Sequence, residues 1–176
     1  GIESGDLKVR KSVTKGAFKE VDIAKTVKNI QDAGINVIGN YIFGLPEDDL
    51  ESMQCTLDLA TELNCEFGNF YSAMAYPGSQ LYPLAQKNKW DLPDDKAGPG
   101  WIGYSQHSYD TLPLRTNHLK ASEVLEFRDR AFDTYFNDSN YLSMIKNKFG
   151  VDTQKHISKM SEHKLKRKHQ FEDVNY

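Results

Sequence analysis

The stretch 35-INVIGNYIFGLPEDDLESM-53 decides the fold. Residues 35–43 are apolar on both alternations, which predicts a strand covered on both faces. Gly44, Leu45 and Pro46 interrupt the run. Glu47, Asp48 and Asp49 follow, and acids suit the positive end of a new helix. Leu50, Met53, Leu57, Ala60 and Leu63 then recur at helical spacing. The stretch therefore reads as a buried strand, a tight turn and an amphipathic helix.

The same alternation continues on both sides. Upstream, Asp22 is an N-cap for a helix carrying Ile23, Val27 and Ile30, closed near Gly34. Residues 7–15 predict a short helix broken at Gly16, and residues 1–4 the end of a strand before a Gly5-Asp6 turn. Downstream, 67-FGNFYSAMAY-76 predicts a further strand ended by Pro77-Gly78. Ser79 is the expected N-cap of a helix reaching Asn88. Strands alternating with helices imply parallel pairing and an α/β architecture, either an open sheet or part of a barrel. In both, ligands bind where the strands end.

From residue 91 the character changes. A loop rich in proline and glycine leads into 101-WIGYSQHSYDTLPLRTN-117, which is aromatic and irregular. A long helix is expected over 120–136, then a shorter one capped by Asp138 or Ser139 and stopped by Gly150. The expected divisions are 1–90, 91–150 and a polar, basic tail over 151–176, frayed at its end.

The 176 residues suit one domain, and a net charge of -3 gives no footing for nucleic acid or anionic membrane. No apolar run approaches the ~18 residues of a membrane span. Two cysteines, Cys55 and Cys65, are too few for a disulfide framework and fit reduced thiols in a cytoplasmic protein. No metal ligand set is expected from the chain, and the five histidines have no ligand spacing. The opening without Met, in what reads as a strand's last residues, suggests a piece of a longer chain with a bare sheet edge at its first strand.

Three strand ends are the candidate site. Glu3 and Ser4 could meet ribose hydroxyls, or simply make a turn. Gly44 would let a flat ring approach the backbone, Ile42 would pack on that ring, and Glu47 would orient the loop. The plain alternative is a strand-to-helix turn with an acidic first turn. Tyr76, Pro77 and Gly78 offer backbone groups to a base, or merely lead into a helix. Lys15 could pair with a ligand carboxylate, or be solvated. His107 sits among Tyr104, Ser105 and Tyr109, in a segment suited to the substrate side.

Taken in order, 1-GIESGD-6, 42-IFGLPED-48 and 76-YPGSQLY-82 resemble the second half of radical S-adenosylmethionine (radical SAM) enzymes, in the subgroup with a cobalamin-binding domain. The resemblance covers about residues 1–150. It implies the last three strand-helix units of a partial (β/α)6 barrel and a helical extension. It implies SAM across Glu3, Ser4, Lys15, Ile42, Gly44, Glu47, Tyr76, Pro77 and Gly78, with Glu47 in register to within one residue. It further implies a 4Fe-4S cluster held by cysteines outside this sequence, and a reductant such as flavodoxin or ferredoxin. A 5′-deoxyadenosyl radical would then act on a small-molecule substrate, with cobalamin-dependent methylation as one outcome. Asp6 and Asp48 depart from the family's serine and glycine, and its Cys-x3-Cys-x2-Cys loop is not in the sequence. The other reading is a non-catalytic α/β module that binds a nucleotide or a partner.

Overall fold

The computed structural model describes residues 1–13 and 21–169. The elements run α1 (Leu7–Val13), α2 (Ile23–Asp32), β1 (Ile38–Phe43), α3 (Leu50–Leu63), β2 (Phe67–Ser72), α4 (Leu81–Asn88), a 3-10 turn (Gly100–Tyr104), α5 (Ala121–Phe136), α6 (Ser139–Phe149) and α7 (Val151–Glu162). The class is α/β. β1 and β2 pair in parallel, with Tyr41 opposite Phe70, and α3 carries the chain between them.

The partial barrel expected from the resemblance is not formed. Among the described residues the sheet has two strands. The segment expected as a third contributes a single bridge, Glu3 to Tyr41. Ile42 N–H donates to Glu3 O at 2.8 Å, but Glu3 itself has φ 66°. A left-handed residue cannot continue an extended strand, so pairing stops there.

The expectation that 35–43 is covered on both faces is also corrected. Tyr41, Phe43 and Phe70 lie under α3 and α5, in one core with Met53, Leu57, Val124, Phe127 and Tyr135. On the other face Ile38 is 60 % exposed and Tyr71 38 %. Asn40 and Asn69 lie opposite each other there, and the Asn69 amide donates to Asn40 Oδ1 at 2.9 Å. An apolar run can mark a strand without marking two covering layers.

The helix starts follow local chemistry. Asp22 accepts from Lys25 N–H and Asp138 from Asn140 and Tyr141 N–H, as N-caps do. Asp49 and Ser52 form a reciprocal capping box at α3. Leu50 is half exposed in that first turn, so the buried stripe begins at Met53. Ser79 does not cap α4. Gln80 holds the N-cap position without a side-chain bond, and Ser79 Oγ has no hydrogen-bond partner.

The region assigned to a polar tail is corrected most. Residues 151–162 form α7, which seats Ile157 in the main core. Residues 163–169 then run back across the molecule, and Lys168 N–H donates to Tyr109 O at 3.0 Å. Arg167, one of the basic cluster, is buried. It grips Asp129 through two nitrogens, at 2.9 and 3.0 Å, and donates to Ser108 O and Thr111 Oγ1. No helix among the described residues is long and apolar enough to cross a membrane.

Candidate functional site

The sheet brings the strand-end segments to one end of the molecule. Ile42 N–H reaches Glu3 O on one side, and Ala73 N–H reaches Phe43 O at 2.7 Å on the other. Residues 3–4, 42–47 and 73–78 therefore follow one another across the same end of the sheet. Beneath them sits a small second core of Val9, Leu45, Ala73, Ala75, Ala85, Leu92 and Leu114. Ile42 packs against it and stays half-buried. Lys15 lies outside the described residues.

The loop after β1 is held by a carboxylate, and that carboxylate is Asp48. Its Oδ2 accepts from Gly44 N–H at 3.0 Å and Leu45 N–H at 2.9 Å, and its Oδ1 accepts from Ser52 Oγ–H at 2.6 Å. Burial pushes the Asp48 carboxyl above its usual range, against the pull of these three donors. Glu47 is half-buried and accepts from the Asn117 amide at 2.9 Å. The orienting role expected of Glu47 thus falls to its neighbour. Spacing alone could not separate two adjacent acids.

Gly44 is required by the fold itself. Its φ is 83°, and a Cβ there would lie 2.4 Å from Val124 Cγ1. Ser4 likewise faces inward: its hydroxyl lies 3.2 Å from Thr56 Oγ1 and accepts from Asp6 N–H. Glu3 is different. Of the three non-glycine residues with positive φ among the described residues, Asn64 and Lys89 close helices, whereas Glu3 closes none. Backbone strain that no cap explains tends to sit at functional positions.

At the third strand end, Gly78 has φ 86° and open space around it. Tyr76 is 45 % exposed, stacks on Tyr104 at 5.2 Å and donates to Tyr104 O. Trp101 leans on the far side of Tyr104. Asp94 fixes this aromatic shelf by accepting from both Tyr82 and Tyr104 hydroxyls. Burial and the Asp94 contact push the Tyr104 phenol well above its ordinary value. Of the aromatic residues of 101–109, Tyr104 adjoins Tyr76, and Trp101 adjoins Tyr104. His107 lines a separate cavity along the β2 edge. Among the described residues no group of three or more His, Cys, Asp or Glu gathers as a metal site.

The sheet end thus presents a strained acid, an open glycine and an aromatic shelf side by side. No protein-family model matches the chain. The chain is 30% identical over 138 residues to the uncharacterized methyltransferase PH0819 of Pyrococcus horikoshii, covering 77% of this chain and 28% of that protein. It is 29% identical over 123 residues to the bacteriochlorophyllide d C-12(1)-methyltransferase of Chlorobaculum tepidum, covering 70% of this chain and 25% of that protein. The chain thus spans about a quarter of the length of the curated relatives it matches.

These relatives correct the class drawn from the three motifs. Both are named as methyltransferases, and neither name speaks of radical cleavage, an iron-sulfur cluster or cobalamin. The radical SAM assignment in the cobalamin-binding subgroup is overturned by these methyltransferase names. The 4Fe-4S cluster, the cobalamin and the flavodoxin or ferredoxin reductant, which came with that assignment, go with it.

Proposed function

We propose that this chain is part of a SAM-dependent methyltransferase and that its strand ends bind SAM. The observation that carries this reading is the similarity to two proteins named as methyltransferases over 77% and 70% of the chain. SAM supplies an electrophilic methyl on a sulfonium. An acceptor atom bonds to that carbon as the carbon–sulfur bond breaks, and S-adenosylhomocysteine leaves.

The residues present suit such a ligand. The Glu3 carboxylate, held at the sheet end by a strained backbone, would accept from ribose hydroxyls. Ile42 offers a half-buried apolar edge to adenine. Gly78 and the Tyr76–Pro77 backbone are open to a base edge. Asp48 keeps Gly44 and Leu45 in place, so that the loop does not have to be ordered on binding. Glu47 adds a carboxylate beside a cationic ligand, and Lys15 would meet the carboxylate of the methionine moiety. The acceptor is a small molecule, and the Tyr76–Tyr104–Trp101 shelf is where it would lie. The protein's work is positioning and exclusion of water.

Equilibrium dialysis with methyl-labelled SAM tests this. Saturable binding displaced by S-adenosylhomocysteine is expected, with Glu3→Ala about tenfold weaker, as for one charge-assisted hydrogen bond. No saturable SAM binding by a protein with native circular dichroism would overturn the reading.

A further inference from the structure

A cavity of about 710 Å³ lies away from the strand ends, along the outer edge of β2. That volume is in the range of small-molecule sites. The edge supplies backbone. Ala73 and Phe67 N–H bond to β1, so the even-numbered residues between them turn their backbone groups outward. Glu66, just before them, and two of those positions are closed by side chains. Tyr141 Oη donates to Glu66 O, Arg128 Nε to Phe70 O at 2.7 Å, and the Gln106 amide pairs with both backbone groups of Ser72. Gly68 and the Phe70 N–H remain at the cavity.

The opposite wall combines apolar surface and charge. Phe132, Met160 and Leu165 bring apolar area, and Phe67 and Tyr71 add rings from the sheet. Arg128 is 4 % exposed and lines the cavity. Its Nε holds Phe70 O and its Nη1 holds Asp129, while its Nη2 has no hydrogen bond among the described residues. Asp129 is also clamped by Arg167, and Asp133 is paired with Lys164 at 2.6 Å. Arg128, Arg167 and Lys164 thus face Asp129 and Asp133, which leaves one cation in excess. Burial, with Arg128 and Arg167 nearby, pushes His107 below its ordinary value, so it is a neutral imidazole at neutral pH.

We propose that this cavity is a second ligand site, for a flat apolar molecule bearing one carboxylate. The carboxylate meets Arg128 Nη2, with His107 on the same wall, and the ring system lies against Phe132, Met160 and Leu165. A guanidinium buried this deeply with an open donor favours an anion that completes its hydrogen bonds. The site is independent of the methyl-transfer reading, and its test needs no SAM.

The test is a 15N-amide titration of the protein with 2-naphthoate and, in parallel, with neutral 2-naphthylmethanol. Naphthoate is expected to shift Gly68, Phe70, Tyr71 and His107, and the alcohol to bind about tenfold more weakly for want of the charged hydrogen bond. Leu165→Trp, which fills the cavity from the returning segment, should abolish the shifts while leaving the rest of the spectrum unchanged. His107→Gln should keep binding within a few-fold, because its side chain can still donate. Equal affinity for the acid and the alcohol, shifts centred elsewhere, or shifts that survive Leu165→Trp would each overturn the proposal.

Discussion

Asp48→Ala would remove the acceptor for two buried backbone N–H groups, those of Gly44 and Leu45. Each unsatisfied donor costs about 1–3 kcal/mol. Ser52 Oγ loses Asp48 but keeps Asp49 O as an acceptor, so it adds little. Against this, the mutation removes a carboxylate that is already penalised by burial. A net loss of about 3 kcal/mol is expected, which is a large share of the stability of a domain this size. With a urea m-value of about 2 kcal/mol/M, the midpoint should fall by about 1.5 M. Circular dichroism would follow it. Asp48→Asn keeps a carbonyl for the two N–H groups and should cost only about 1 kcal/mol. Glu47→Gln, at a half-buried residue with one exposed partner, should stay within about 0.5 kcal/mol. The pH dependence has a definite sign. A carboxyl whose folded value is raised stabilises most below its usual 3.8 and loses that contribution as pH rises through the raised value. The asparagine cannot titrate, so its deficit should be larger at acidic pH than at neutral pH. If Glu47→Gln costs as much as Asp48→Ala, or if Asp48→Ala moves the midpoint by less than about 0.5 M, the assignment of the loop-holding acid is wrong.

Gly44→Ala should cost about 2–5 kcal/mol, from the strained φ and the close approach to Val124. Pairing it with Val124→Ala in a double-mutant cycle should recover more than about 0.5 kcal/mol of the clash; strict additivity would refute the contact. Arg167→Ala should cost about 3–5 kcal/mol by removing both of its hydrogen bonds to the Asp129 carboxylate, measured by urea unfolding. A neutral result would mean that residues 163–169 do not hold the fold. Glu66 is buried, which pushes its carboxyl up, but Lys148, Val37 N–H and Gln31 together outweigh burial and hold it below its usual 4.5. Its stabilisation is therefore present above 4.5 and lost as pH falls through the lowered value. Glu66→Gln should flatten the acid limb of the stability curve; an unchanged slope below 4.5 would count against this.

What was legible in the sequence was what local chemistry determines. Asp22 and Asp138 cap helices by bonding to N–H groups two or three residues on, so their neighbours suffice to reveal them. The β1–turn–α3 stretch is legible for the same reason. What was not legible depends on partners distant in the chain. α7 offers few large apolar residues, and Ile157 finds its core only because α5 and α6 have already built it. Arg167 looks like one more charge in Lys164–Lys168, and only its distant partners, Asp129, Ser108 and Thr111, distinguish it. The strand expected at 1–4 needed the φ of one residue, Glu3, which no pattern of apolar positions encodes.

The candidate site follows the same division. The chain order of the three motifs brought their segments to one end of the sheet, because parallel strands joined by helices must end on one side, but β2 ends at Ser72, ahead of Tyr76–Gly78, and residues 1–4 make one bridge and no strand. It did not assign atoms. Gly44 is bare for the sake of Val124 as well as its own φ, Ser4 turns its hydroxyl to Thr56, and Asp48 takes the role expected of Glu47. Gly44 and Ser4, which looked like ligand contacts, thus have structural work of their own. Glu3, Tyr76 and Gly78 are the positions whose conformation or exposure the fold leaves without such a cause. If the strand ends bind SAM, Glu3→Ala should weaken binding with little change in the urea midpoint, and Gly78→Val should weaken it too, with a midpoint lowered by the strain of a β-branched side chain at φ 86°. Asp48→Ala should lower both together. A ligand that responded to Asp48 and ignored Glu3 and Gly78 would be sensing the stability of the loop, and the contact surface would have to be sought elsewhere.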